Sequence, residues 1–247
     1  MSFDVFVGRP TTRILWSEDL LRYLDAETDW DAHGVQPREA ILPEISRFAF
    51  EISKGWPPLN ACGPLEKGAL EDDADNPRLV DYCFGPSSVY LCCSWSMADE
   101  AHAEVSAMAA RHNLLFVNCS GRDWMNAART CETSRSVEIS VGESETPGFS
   151  RAYVGTVQGL EPADADLLTA PDRFKPYAYF TCALADDHYM QARNTGKGYL
   201  IEYRDGSPER HYQAQNVSLE EIREALRLYL ADDAQAFRLL DWRKTRV

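Results

Sequence analysis

Apolar positions recur along this chain in two rhythms, and its first half switches between them. Phe3, Val5, Phe6 and Val7 around Asp4 read as a strand. Ser17 precedes Leu20, Leu21 and Leu24, with Glu18 and Asp19 at the positive end of the helix they predict. Pro43 suits the first turn of a second helix, whose buried face is Ile45, Phe48, Ala49 and Ile52 and which Gly55 ends. The stretch from Trp56 to Pro77 carries neither rhythm. Leu79–Phe84 and Val89–Cys93 then read as strands joined by Gly85-Pro86-Ser87-Ser88, a hairpin signal. Ser96 is the expected cap of a helix bearing Met97, Ala101, Val105 and Met108, and Leu114–Val117 follows as a strand.

Beyond a polar stretch from Gly121 to Ser134, read as a linker carrying Trp124, the pattern turns β-rich. Val137–Val141, Ala152–Val157 and Tyr177–Cys182 are expected strands. Tyr199–Arg204 and Arg210–Ala214 flank the turn Asp205-Gly206-Ser207-Pro208. Ser218-Leu219-Glu220-Glu221 is a capping box opening a helix with Ile222, Leu226, Tyr229 and Leu230 on one face. Phe237, Leu240 and Trp242 are expected to pack a last short element. The expected fold class is α+β. A ferredoxin-like βαββαβ module spans residues 1–120, with one extra early helix. A mainly antiparallel sheet with a C-terminal helix follows over residues 135–247.

Composition narrows the function classes. The 247 residues are 45% hydrophobic and 26% charged, enough for a packed core and ordinary for a globular chain. No apolar run approaches the roughly 18–20 residues that span a bilayer. The first residues carry an acid where a secretory leader carries Lys or Arg, so a cytoplasmic location is expected. Seven Cys, an odd number without a C-x-x-C pair, argue against a disulfide framework or zinc site. The net charge is −14, and residues 1–120 hold 19 Asp and Glu against 9 Lys and Arg. Such a field opposes nucleic acid and anionic membranes as partners and favours a basic partner, or simply serves solubility.

Motifs for chemistry are missing. Gly196-Lys197-Gly198 lacks the remainder of a phosphate loop. Asp186-Asp187-His188 is the best local metal candidate, but three adjacent residues rarely converge on one ion. None of His33, His102, His112, His188 or His211 stands in a triad-like spacing. His211 has the strongest claim to a functional role, since Glu202 and Arg204 are expected across the hairpin from it. No cofactor and no catalytic residue is assigned. Two acidic segments are the expected contact surface: Glu27, Asp29, Trp30 and Asp31, where an aromatic is ringed by acids, and Glu71, Asp72, Asp73 and Asp75.

The run Gly198–Tyr212, the helix Leu219–Leu230, the acids Asp232-Asp233 and the pair Asp241-Trp242 resemble the C-terminal part of bacterial immunity proteins. These are encoded beside polymorphic toxins of the Rhs and contact-dependent inhibition type, and the resemblance covers about residues 135–245. It implies a cytosolic, non-catalytic protein that neutralises a cognate toxin by binding it and occluding its active or binding surface, the toxin in many such pairs being basic. It carries no functional residue across. Two alternatives stay open: an enzyme whose site, with His211 or His188, is assembled from distant residues, or an adaptor acting as a homodimer.

Overall fold

The structure is a computed structural model that describes residues 2–33, 36–59, 61–65, 75–121, 123–126, 138–143, 154–157 and 160–245. Two compact units are present, one of Met1–Ile14 and Asp19–Ala127, the other of Leu15–Glu18 and Ala128–Val247. Among the described residues no helix is long and apolar enough to cross a membrane.

The first unit runs β1 (Ser2–Gly8), α1 (Ser17–Glu27, from Asp19 on), α2 (Trp30–His33), α3 (Pro43–Ile52), β2 (Asp81–Phe84), β3 (Ser88–Ser94), α4 (Ala98–Arg111), β4 (Leu115–Asn118) and β5 (Asp123–Asn126). Its strands lie in the order β5-β4-β1-β3-β2, every neighbour antiparallel. Strand side chains alternate between faces, so Phe3, Val5 and Val7 of β1 share one face with Leu91 and Cys93 of β3. Ile45, Phe48, Ala49 and Ile52 of α3 and Ala101, Val105 and Ala109 of α4 join them in one buried cluster. On the opposite face, Phe6 meets Tyr23 of α1 edge-on at 5.6 Å. Burial on both faces explains why β1 reads as a nearly continuous apolar run.

Two local expectations are corrected here. Ser96 does not cap α4: it sits in a 3-10 turn, its hydroxyl 2.9 Å from that of Ser94, and the N-cap residue is Met97. The stretch read as a linker holds β5, in which Trp124 pairs opposite Val117 and is 2% exposed. A single buried aromatic inside Asp-Trp-Met-Asn is too weak a signal for a strand, yet Trp124 is buried here and Met125 packs on the core cluster.

The second unit runs β6 (Glu138–Glu143), β7 (Val154–Val157), α5 (Asp164–Leu168), β8 (Ala178–Ala185), β9 (His188–Asn194), β10 (Tyr199–Asp205), β11 (His211–Val217), α6 (Leu219–Leu230) and β12 (Arg243–Thr245). Its order is β12-β11-β10-β9-β8-β6-β7, again antiparallel throughout. The capping box is present as expected: Ser218 accepts from the Glu221 amide while Glu221 reaches back to the Ser218 amide. Helix α6 buries Ile222, Ala225, Leu226 and Tyr229. Around Tyr203 of β10 gather Phe237 at 3.9 Å, Trp242 at 6.3 Å and Tyr229 at 6.3 Å between ring centroids. Trp16 packs against Phe174 and donates its Nε1 hydrogen to the Leu167 carbonyl at 3.0 Å. Strand β9 and helix α5 lie where no element was expected.

Candidate functional site

Strand β2 ends the sheet of the first unit, and a cavity of about 330 Å³ opens beside it, lined by Trp30, Gln36, Cys62, Gly63, Tyr82, Cys83 and Phe84. Tyr82 and Phe84 are stacked on the core face, and Tyr82 is locked there by donating its hydroxyl hydrogen to the Trp56 carbonyl at 2.6 Å. Cys83 points to the other face, as strand alternation requires. A cavity touching all three consecutive residues therefore sits at the edge of the sheet itself.

The far wall is a tight turn. Cys62 and Leu65 exchange both backbone hydrogen bonds, at 3.1 and 2.9 Å, and buried Leu65 pins the turn to the core cluster. Gly63 adopts φ +51° at its tip, and a Cβ there would lie 2.8 Å from the Phe84 ring. The turn shields part of the sheet edge, the usual protection against unwanted strand pairing. Trp30 closes the third side. Its position follows from the end of α1, where the Thr28 amide bonds to the Leu24 carbonyl and the Trp30 amide to the Thr28 carbonyl, both at 2.9 Å.

The lining is apolar in character. Burial pushes the Cys62 thiol up to about 11, assisted by the Asp81 carboxylate and the Cys83 thiol and opposed by a hydrogen bond from the Tyr82 backbone. Burial and Asp81 push Cys83 up as well. Both sulfurs stay protonated at neutral pH and act as small hydrophobes rather than nucleophiles. Charge begins one residue outside the lining. Asp29 and Asp31 flank Trp30, Asp81 precedes Tyr82, and all three are exposed. Trp30 itself is 38% exposed.

The expected contact residues divide accordingly. Trp30 lines the cavity, and Asp29 and Asp31 are its exposed neighbours in the chain. Glu27 is engaged elsewhere: its carboxylate accepts from the Ser87 amide at 3.0 Å and the Ser87 hydroxyl at 2.6 Å, bracing the β2–β3 turn. Asp75 is exposed, while Glu71, Asp72 and Asp73 lie outside the described residues. Cys62, Gly63 and Tyr82–Phe84 were not expected in a site. No short-range pattern links them to Trp30, because the edge of the sheet brings them together.

In the second unit, the cross-strand expectation for His211 agrees with the register that pairs it with Arg204. Arg204 donates to His211 Nδ1 at 3.3 Å and to Asp187 at 2.6 Å, and lies 5.2 Å over the Tyr189 ring. A guanidinium donating to Nδ1 leaves the ring hydrogen on Nε2, which lies 3.6 Å from Glu202 Oε1. That Nε2 is shut off from solvent without a hydrogen-bond partner, and His211 is 5% exposed. His188 packs beside the rings of Tyr203 and Tyr229, at 6.0 and 6.2 Å between centroids. Its neighbour Asp187 is paired with Arg204 and not with it. Among the described residues no group of three or more His, Cys, Asp or Glu could hold a metal ion.

No protein-family model, no curated protein and no solved structure matches this chain.

Proposed function

We propose that the chain is an immunity-type protein that neutralises a basic toxin by binding it stoichiometrically and covering its working surface, in the bacterial cytoplasm. The observation that carries this reading is the half-exposed indole of Trp30, which lines an apolar cavity and has two exposed aspartates as its neighbours in the chain. An aromatic anchor with a polar rim is the usual core of a protein interface. The net charge of −14 supports a basic partner, which it would steer into contact about 10–10³-fold faster. Full occlusion calls for about 1,200–2,000 Å² of buried surface.

The architecture is compatible with that role. The order β4-β1-β3-β2, antiparallel throughout, supports reading the first unit as a ferredoxin-like module with β5 added at its edge. The hairpin of β10 and β11 followed by α6 supports the resemblance of the second unit to immunity proteins.

Co-expression with the toxin encoded beside this gene tests the proposal. The expected result is rescue of growth and a one-to-one complex that co-purifies. Absence of any association at low and moderate salt discards the reading.

A further inference from the structure

The binding reading leaves open what enters the cavity, and the following step rests on that reading. We infer that the Trp30 cavity is an anchor pocket for one large apolar side chain, carried by a Lys- or Arg-flanked segment of the partner. Three features point to this occupant.

The first is size. At about 330 Å³ the cavity lies at the bottom of the roughly 300–1,000 Å³ range of small-molecule pockets. It is open on one side, which suits a single inserted side chain better than a cofactor. The second is the lining. Three rings, two protonated thiols and a glycine face the space, and Gln36 is the one amide among them. No charged side chain is among the described lining residues, so an ion entering the cavity would lose its hydration with nothing to replace it. The third is the rim. The charged residues that adjoin lining residues in the chain, Asp29, Asp31 and Asp81, are all acids and all exposed, and Asp81 acts electrostatically on the Cys62 thiol of the lining. An apolar side chain between bases satisfies lining and rim together. An acid-flanked segment is repelled, and a neutral one gains nothing from the rim. Leu59, exposed, is held beside the start of β2 by the hydrogen bond its amide donates to the Val80 carbonyl at 2.8 Å.

The probes are capped peptides Lys-Lys-Phe-Lys-Lys, Lys-Lys-Ala-Lys-Lys and Glu-Glu-Phe-Glu-Glu, titrated against the full chain. Binding is read by calorimetry and by mass-spectrometric mapping of slow cysteine alkylation by excess iodoacetamide at pH about 9, where the small thiolate fraction of each buried thiol still reacts over hours. The basic Phe peptide is expected to bind about tenfold or more tighter than either control, the increment that burial of a phenyl ring supplies. It should protect Cys62 and Cys83 while leaving Cys92 unprotected. Trp30→Ala should remove the protection with Tm unchanged. The double substitution Asp29→Lys, Asp31→Lys, at exposed positions, should remove the preference for basic flanks. Equal binding of the three peptides, or protection that maps away from Cys62 and Cys83, overturns the anchor. A toxin complex as tight with Trp30→Ala as with the unaltered chain also overturns the anchor while leaving the binding reading intact. A chain that captures no toxin removes the binding reading instead.

Discussion

Trp30 is visible in the sequence as an aromatic among acids, a pattern that fits an interface but fits core packing at least as well, and the structure leaves it 38% exposed. The rest of its pocket is not visible, since Cys62, Gly63 and Cys83 carry no local signature of a site. Their sulfurs belong to a wider set of thiols held neutral by burial, with Cys62 raised to about 11 and Cys92, Cys93 and Cys119 to about 12. A thiol in the unfolded chain ionises at its ordinary 9.0. Between those values the unfolded state sheds protons that the fold retains, so alkali favours unfolding. The thiol contribution to stability is full below pH about 9 and is lost as pH rises through about 12. Denaturant midpoints at pH about 7, 9 and 10.5 should show the decline. The double variant Cys62→Ser, Cys92→Ser should decline less steeply. An unchanged slope would mean that these thiols are hydrated in the fold.

The elements that sequence discloses are those whose causes are local. The capping box at Ser218 and Glu221 needs four consecutive residues, and it forms as read. Ser218→Ala removes the acceptor for the Glu221 amide, leaves an orphan donor in the first turn of α6, and should cost about 1 kcal/mol of stability. Thermal or denaturant unfolding measures it, and a loss near zero would show water replacing the cap without penalty. Strand β9 shows the opposite case. It alternates as a half-buried strand must, but its buried positions are Met190, Ala192 and Asn194. A small residue and an amide give no apolar rhythm, and Asn194 is tolerated inside because it donates to the Phe174 carbonyl at 2.9 Å. The β2–β3 turn is intermediate: its residues announce a hairpin, while its brace from Glu27 is long-range. Gly85 is required by that brace, since a Cβ would lie 2.5 Å from Ser88 Oγ and 2.7 Å from Glu27 Oε2. Gly85→Ala should therefore cost about 1–3 kcal/mol by overpacking, seen as a lower unfolding midpoint. The expected effect on Trp30-dependent binding is a parallel weakening, because Glu27 closes the helix that leads to Trp30.

At the scale of the whole molecule, charge and shape should separate kinetically. The acidic excess is concentrated in residues 1–120, whereas residues 121–247 hold 20 Asp and Glu against 16 Lys and Arg. Long-range attraction acts on the encounter, before any side chain is seated, and salt screens it within about 10 Å at 0.1 M. Rim charges therefore govern mainly the association rate, and a buried anchor governs mainly dissociation. Stopped-flow association with the proposed toxin partner should slow by about tenfold between roughly 20 and 150 mM salt. Asp29→Lys with Asp31→Lys should slow association further and flatten that salt dependence. Asp241→Lys, a reversal at another exposed position, in the second unit, should do so far less. Trp30→Ala should leave association and its salt slope nearly unchanged while raising the dissociation rate. If Asp241→Lys proved as damaging as the Asp29 and Asp31 pair, steering would be a property of net charge alone. The acidic rim would then lose its claim to mark the place where the partner lands.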